Sequence, residues 1–186
     1  MDKKKQADGI VTGHVLWSMG GGLIPLPILD VAAVTFVQLD MLEQLARLYE
    51  VDYSASIGRS FITALAGTTV AKLGASAVKA IPGIGSVIGG LSMSILSGAT
   101  TYALGQVAIS QMSSGGSLLN LDLEWAKQAY QEAFEQGKSV ASKLEREKAK
   151  SKNVIETLEK LGELKEKGVI TEEEFEAQKA KLLERL

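Results

Sequence analysis

From Ala80 to Leu121 the chain runs for 42 residues without a charged side chain. So long an uncharged stretch needs a packed interior or a bilayer to receive it. A helix of about 20 apolar residues can cross a membrane, so length alone permits a span between Ser86 and Met112. The content argues for close neighbours. Ser92, Ser94, Ser97, Thr100, Thr101, Gln106 and Ser110 break the apolar pattern, and Gly89, Gly90, Gly98 and Gly105 add small sites. This is the pattern of a helix packed among other helices, central in a core or in lipid, rather than a lone anchor.

The rest of the 186 residues divide around this stretch. Residues 1–121 carry seven acids and seven bases, and residues 122–186 carry fifteen acids and thirteen bases. The division predicts a hydrophobic helical domain over 1–116, a charged connecting helix over 117–152 and a small helical hairpin over 153–186. The net charge of −2 favours no nucleic-acid partner. Lys3, Lys4 and Lys5 are flanked by Asp2 and Asp8 and read as a solvated terminus. The chain has no cysteine, which excludes disulfides and thiolate metal sites within it. No signal-peptide pattern is expected, because Asp8 interrupts and no cleavage pattern follows.

Prolines punctuate the hydrophobic part. Pro25 and Pro27 in GGLIPLPILD, and Pro82 in AIPGIGSVIGG, predict two turns between apolar helices. Helices are expected over 10–24, 28–50, 57–79 and 86–112, so that two Ile-Pro-turn hairpins build an all-α, four-helix core. The two turns lie 57 residues apart, which fits either a duplication or convergence on one turn design. In the second helix Leu29, Ala33, Phe36, Val37, Leu45 and Leu48 form an apolar band, and Asp40, Glu43, Gln44 and Arg47 lie on another side. Ser54 or Ser56 can cap the third helix. Its Gly67 and Gly74, with Gly89, Gly90 and Gly98 in the uncharged run, are the expected close-packing sites between helices.

The C-terminal third is charged. Leu121, Trp125, Ala129 and Phe134 offer one apolar side of a helix, with Gly137 a candidate kink. In the tail, Leu158, Leu161 and Leu164 share a face, and Gly168 sits where a helix should end. Thr171 and Glu174 have the spacing of a capping box. Phe175, Leu182, Leu183 and Leu186 face the same way on the next helix. A hairpin of this size lacks a core of its own and is expected to dock or to dimerise.

The search for chemistry finds little. His14, the single histidine, reads as a packed histidine, with a proton switch the functional alternative. Asp30 reads as a helix-start carboxylate. Asp30 and Asp40 are nearly three helical turns apart and make no acid–base pair. The glycine-rich stretches lack the Lys-Ser/Thr of a phosphate loop. No nucleophile–base–acid set is present, so neither an enzyme nor a cofactor is expected. Trp17 and Trp125 are either membrane-interface anchors or ordinary contact residues.

The block from IPLPILDVAAVTFVQLDMLEQLARLYEVDYS to AKLGASAVKAIPGIGSVIGG resembles the bacterial family catalogued as domain of unknown function 697, over residues 10–112. The resemblance implies a hydrophobic helical module, membrane associated, with a small GTPase as a partner in trans. Leu158, Leu161, Leu164, Gly168, Ile170, Thr171, Glu174, Phe175, Lys179, Leu182 and Leu183 resemble the short C-terminal domain family, SHOCT, which implies oligomerisation. The expected function is a non-enzymatic, self-associating, membrane-associated helical protein at a bacterial inner membrane or its cytoplasmic face. The alternatives are a soluble, cytoplasmic homo-oligomeric scaffold and a channel component lined by Gln38, Ser97, Thr101 and Gln106.

Overall fold

The uncharged run becomes α4, Met93–Ser113, a helix buried on several sides at once. The computed structural model describes residues 2–21, 31–77, 87–88 and 91–184. Among them the helices are α1 (Lys3–Leu16), α2 (Val31–Tyr49), α3 (Ala55–Ala77), α4, α5 (Leu123–Glu166) and α6 (Glu172–Leu183). A π-turn, Trp17–Gly21, extends α1 and is kinked at Gly20, where φ is +75°. The fold is all-α but for one short ladder, in which β1 (Val87–Ile88) pairs antiparallel with β2 (Leu91–Ser92). Pro25, Pro27, Asp30, Pro82, Gly89 and Gly90 lie outside the described residues, and the two expected Ile-Pro turns lie there with them.

The chain divides into two compact units, Met1–Ser142 and Lys143–Leu186, and α5 contributes residues to both. α5 is continuous from Leu123 to Glu166, so the boundary expected at residue 152 falls inside a helix. Gly137 does not interrupt it.

In the first unit, glycines set how closely α4 is approached. A Cβ on Gly105 would lie 2.6 Å from a methyl of Val11, and one on Gly98 would lie 2.8 Å from the Met19 side chain. Gly98 and Gly105 are two turns apart, as are Met19 and Val11, so α1 and its π-turn seat two knobs in two notches of an antiparallel neighbour. On another side of α4, Gly137 of α5 meets the Ala99 backbone. A Cβ there would stand 2.8 Å from the Ala99 carbonyl oxygen.

The polar side chains of α4 are absorbed locally. Ser92 caps the helix by accepting from the Ile95 amide at 3.2 Å. Thr100 donates to the Leu96 carbonyl at 2.7 Å, and Ser94 donates to the Met19 carbonyl at 3.2 Å. Gln38 of α2 donates to Thr101 at 3.2 Å, and both are buried. These two candidate pore-lining residues therefore satisfy each other inside the chain. Breaking one partner would leave the other unpaired at a cost of about 1–3 kcal/mol. Among the described residues no helix is long and apolar enough to cross a membrane.

Two expected element boundaries shift for capping reasons. α1 begins at Lys3 rather than residue 10, because Asp2 accepts from the Lys4 amide at 3.0 Å and starts the helix early. α3 begins at Ala55 rather than residue 57, with the Ser54 hydroxyl facing the Ile57 amide. α4 ends in a Schellman motif. Gly115 adopts φ +78°, while Gly116 donates to the Gln111 carbonyl and Gly115 to the Met112 carbonyl, each at 3.0 Å.

The packing separates two kinds of glycine. Gly137→Ala pushes a methyl into backbone that cannot yield and is expected to cost about 1–3 kcal/mol in chemical denaturation. Gly67→Ala meets only the Thr63 methyl, 3.9 Å away on its own helix. It is expected to stabilise α3 by up to about 1 kcal/mol. Equal effects at the two positions would contradict this packing.

Candidate functional site

Ala7, Val11, His14 and Val15 are the buried residues of α1. Their spacing traces one helical stripe, so His14 is carried inward by the periodicity of its neighbours. α2 packs beside α1 in the opposite direction. Lys3 Nζ lies 3.2 Å from Glu50 Oε1 near one end, and the Trp17 and Phe36 rings meet near the other.

Between these contacts, His14 Nε2 lies 2.8 Å from Asp40 Oδ2. His14 Nδ1 lies 2.7 Å from the Ile10 carbonyl oxygen one turn back. Gln44 donates to Asp40 Oδ2 at 2.8 Å. The His14 side chain is 8% exposed and that of Asp40 36%. A carbonyl can only accept, so Nδ1 carries a hydrogen. A hydrogen also lies between Nε2 and the carboxylate, supplied by an imidazolium or by a protonated Asp40. In either form the pair is neutral overall and holds one proton more than a neutral imidazole beside a carboxylate.

This arrangement is a poor general base, because both ring nitrogens are already engaged. The Ser18 hydroxyl, one turn on, donates to the Val15 carbonyl at 2.9 Å. Among the described residues no three metal-ligating side chains come together. Tyr53 closes the region, donating to the Leu39 carbonyl at 3.0 Å. Burial first, and then the carboxylates of Glu43 and Asp40, push its hydroxyl up to about 12. It therefore stays a donor throughout the ordinary pH range.

One turn from His14 the surface becomes aromatic. Trp17 is 43% exposed and Phe36 63%, and their rings meet edge to face at 6.3 Å. The Trp17 ring also lies 5.9 Å from that of His14. Phe36 was expected in the buried band of α2. The helix instead buries Val37, Met41, Leu42 and Leu45, which leaves Phe36 off that stripe. No residue from Gly9 to Gly21 or from Val31 to Leu39 is charged, other than through the His14 proton. The face is aromatic and uncharged, with Asp40 at its edge.

In the second unit, Gly168 ends α5 at φ +66°. Val169 donates to the Leu164 carbonyl and Gly168 to the Lys165 carbonyl, each at 2.9 Å, again a Schellman motif. Thr171 and Glu174 form both arms of the capping box, at 3.2 and 2.9 Å. Lys165 and Lys179 stand over the Phe175 ring at 4.9 and 5.6 Å. No described residue of α6 is buried. Leu158, Leu161, Phe175 and Leu182 are half-buried, and Leu164 and Leu183 are exposed.

Of the glycines expected at helix contacts, Gly98 faces Met19 and Ala141, Gly67 faces nearly open space and Gly74 lies within α3. Two close-contact glycines, Gly105 and Gly137, were not among them. The His14–Asp40 pair was also missed. Its residues are 26 apart in sequence, and no local spacing links them. The antiparallel packing of α1 on α2 was the signal that could have found it.

An all-helical unit without a metal-ligating cluster among its described residues, followed by a capped helical tail, defines the class. The family model described as Domain of unknown function (DUF697) matches residues 4–139. The chain belongs to that family. The match runs past the recognised block to Ser139, and so takes in Gly137 and its contact with α4. The model of the Short C-terminal domain, SHOCT, matches residues 156–183. Among curated proteins, Magnetosome membrane protein 22 of Magnetospirillum gryphiswaldense is 35% identical over 147 residues, covering 76% of this chain and 75% of the relative. No solved structure matches the chain.

A double-mutant cycle tests the pair. His14→Ala and Asp40→Ala are expected to couple by about 1–2 kcal/mol in unfolding free energy, a charged hydrogen bond reduced by the partial exposure of Asp40. Strict additivity would show that the contact contributes nothing.

Proposed function

We propose that this chain is a non-enzymatic helical protein that attaches to the surface of a bacterial membrane and self-associates through its C-terminal hairpin. The observation that carries the attachment is the exposed Trp17–Phe36 pair on an uncharged face. Tryptophan favours the boundary between headgroups and acyl chains, and an uncharged aromatic face enters it without desolvating an ion. The name of the curated relative, a magnetosome membrane protein, supports a membrane setting. The described helices, none of which can span a bilayer, favour attachment at the surface over insertion. A soluble scaffold would use the same helices without lipid, and vesicle binding separates the two readings.

Self-association rests on α6. A helix with none of its described residues buried gains little from folding alone, and Leu164 and Leu183 stand exposed beside the half-buried leucines. A second copy of the hairpin would cover them.

Vesicle co-sedimentation of the full chain tests the attachment. Trp17→Ser and Phe36→Ser are each expected to weaken partitioning about tenfold, the effect of withdrawing some tens of Å² of apolar surface from lipid. Unchanged partitioning, or none by the parent chain, would overturn it. Leu164→Glu with Leu183→Glu is expected to reduce the native mass to that of one chain, and an unchanged assembly would place the interface elsewhere.

A further inference from the structure

The His14–Asp40 contact cannot keep its geometry in every protonation state. With its proton present, the pair is neutral and hydrogen-bonded. Transfer of that proton to solvent leaves the Nε2 lone pair facing a carboxylate oxygen at 2.8 Å, which is repulsive. The Ile10 carbonyl holds the remaining hydrogen on Nδ1, so the ring cannot answer by switching tautomer without losing that bond. Loss of the proton therefore opens the contact and leaves a net negative charge on Asp40.

The surroundings offer little to replace the lost partner. From α2, Glu43 lies one turn beyond Asp40 and is paired with Arg47. Gln44 donates to Asp40 but brings no charge. From α4, Tyr102 is the one titratable side chain, and the π-turn has none. On α1 itself the nearest charged residue is Asp8, nearly two turns back, and Lys3 is occupied with Glu50. Tyr53 of the α2–α3 connection stands beside Asp40 and Glu43 with its proton retained. Asp40 would thus remain an uncompensated carboxylate, one turn from Phe36 on its own helix.

We propose that His14 and Asp40 form a proton-operated latch between α1 and α2. Closed, it keeps the aromatic face neutral and holds Trp17 against Phe36. Open, it places a negative charge at the edge of that face and opposes its entry into lipid. The latch regulates the membrane face proposed above and rests on that reading for its consequence, though not for its existence. Acidification closes it, and rising pH opens it.

The test uses the full chain with Trp125→Phe, so that Trp17 is the reporting tryptophan, between about pH 5 and about pH 8, where imidazoles exchange protons. His14 is the one histidine in the chain, so its ring nitrogens can be followed by NMR without ambiguity. Trp17 emission is expected to shift in step with the loss of a proton from the pair. Partitioning onto phosphatidylcholine vesicles is expected to fall about tenfold over the same range, the loss of one charged hydrogen bond. In Asp40→Asn the side-chain amide can either donate to or accept from Nε2. That variant should keep its Trp17 emission constant and bind vesicles at high pH as strongly as the parent does at low pH. His14→Gln has no such proton to lose and should also show constant emission, which keeps the test open if Asp40→Asn fails to fold. Trp17 emission independent of the His14 proton in the parent, or the same shift in His14→Gln, would overturn the latch. Emission that follows the proton while vesicle binding does not would sustain the latch and overturn its role at lipid.

Discussion

The first unit depends on how closely α4 can be approached. At Gly98 and Gly105 there is no side chain, and Met19 and Val11 occupy the space that one would fill. Gly137 supplies the same permission from the other partner, with the Ala99 backbone against it. Each glycine costs roughly 1 kcal/mol of helix propensity, which close packing offsets through dispersion contacts across the interface. With α4 enclosed, α1 must run beside α2, and that geometry brings Lys3 to Glu50, His14 to Asp40 and Trp17 to Phe36.

Enclosure also explains how an uncharged run can be so rich in hydroxyls and amides. Thr100 donates back to its own helix, Thr101 accepts from Gln38, and Ser92 caps the first turn. A helix facing lipid would gain little from such groups, whereas a helix shared among several neighbours uses them to fix register. The proposed lipid contact falls instead on the exposed aromatic edge of α1 and α2.

Local signals in the sequence were legible. The capping box of Thr171 and Glu174, the end of α5 at Gly168 and the Glu43–Arg47 pair all follow from neighbours within one turn, and all form. Less legible was anything requiring two helices to be placed together. Gly137 has the look of a kink until Ale99 is set against it; Phe36 belongs to the apolar band until the rotation of α2 is known. His14 and Asp40 are each unremarkable alone. Their partnership depends on the antiparallel packing of α1 and α2, a tertiary property that periodicity does not encode. The early start of α1 is a different kind of miss, since the Asp2 cap stood in the sequence beside lysines that suggested a solvated end.

The account places the protein on a membrane surface through an aromatic edge. The most direct measurement is carbonate extraction of membranes from cells producing the full chain, with the protein followed in pellet and supernatant. Recovery with the membranes before the wash and release into the supernatant after it is the expected result. Retention in the carbonate-washed pellet, or absence from the membranes at the outset, would contradict the account.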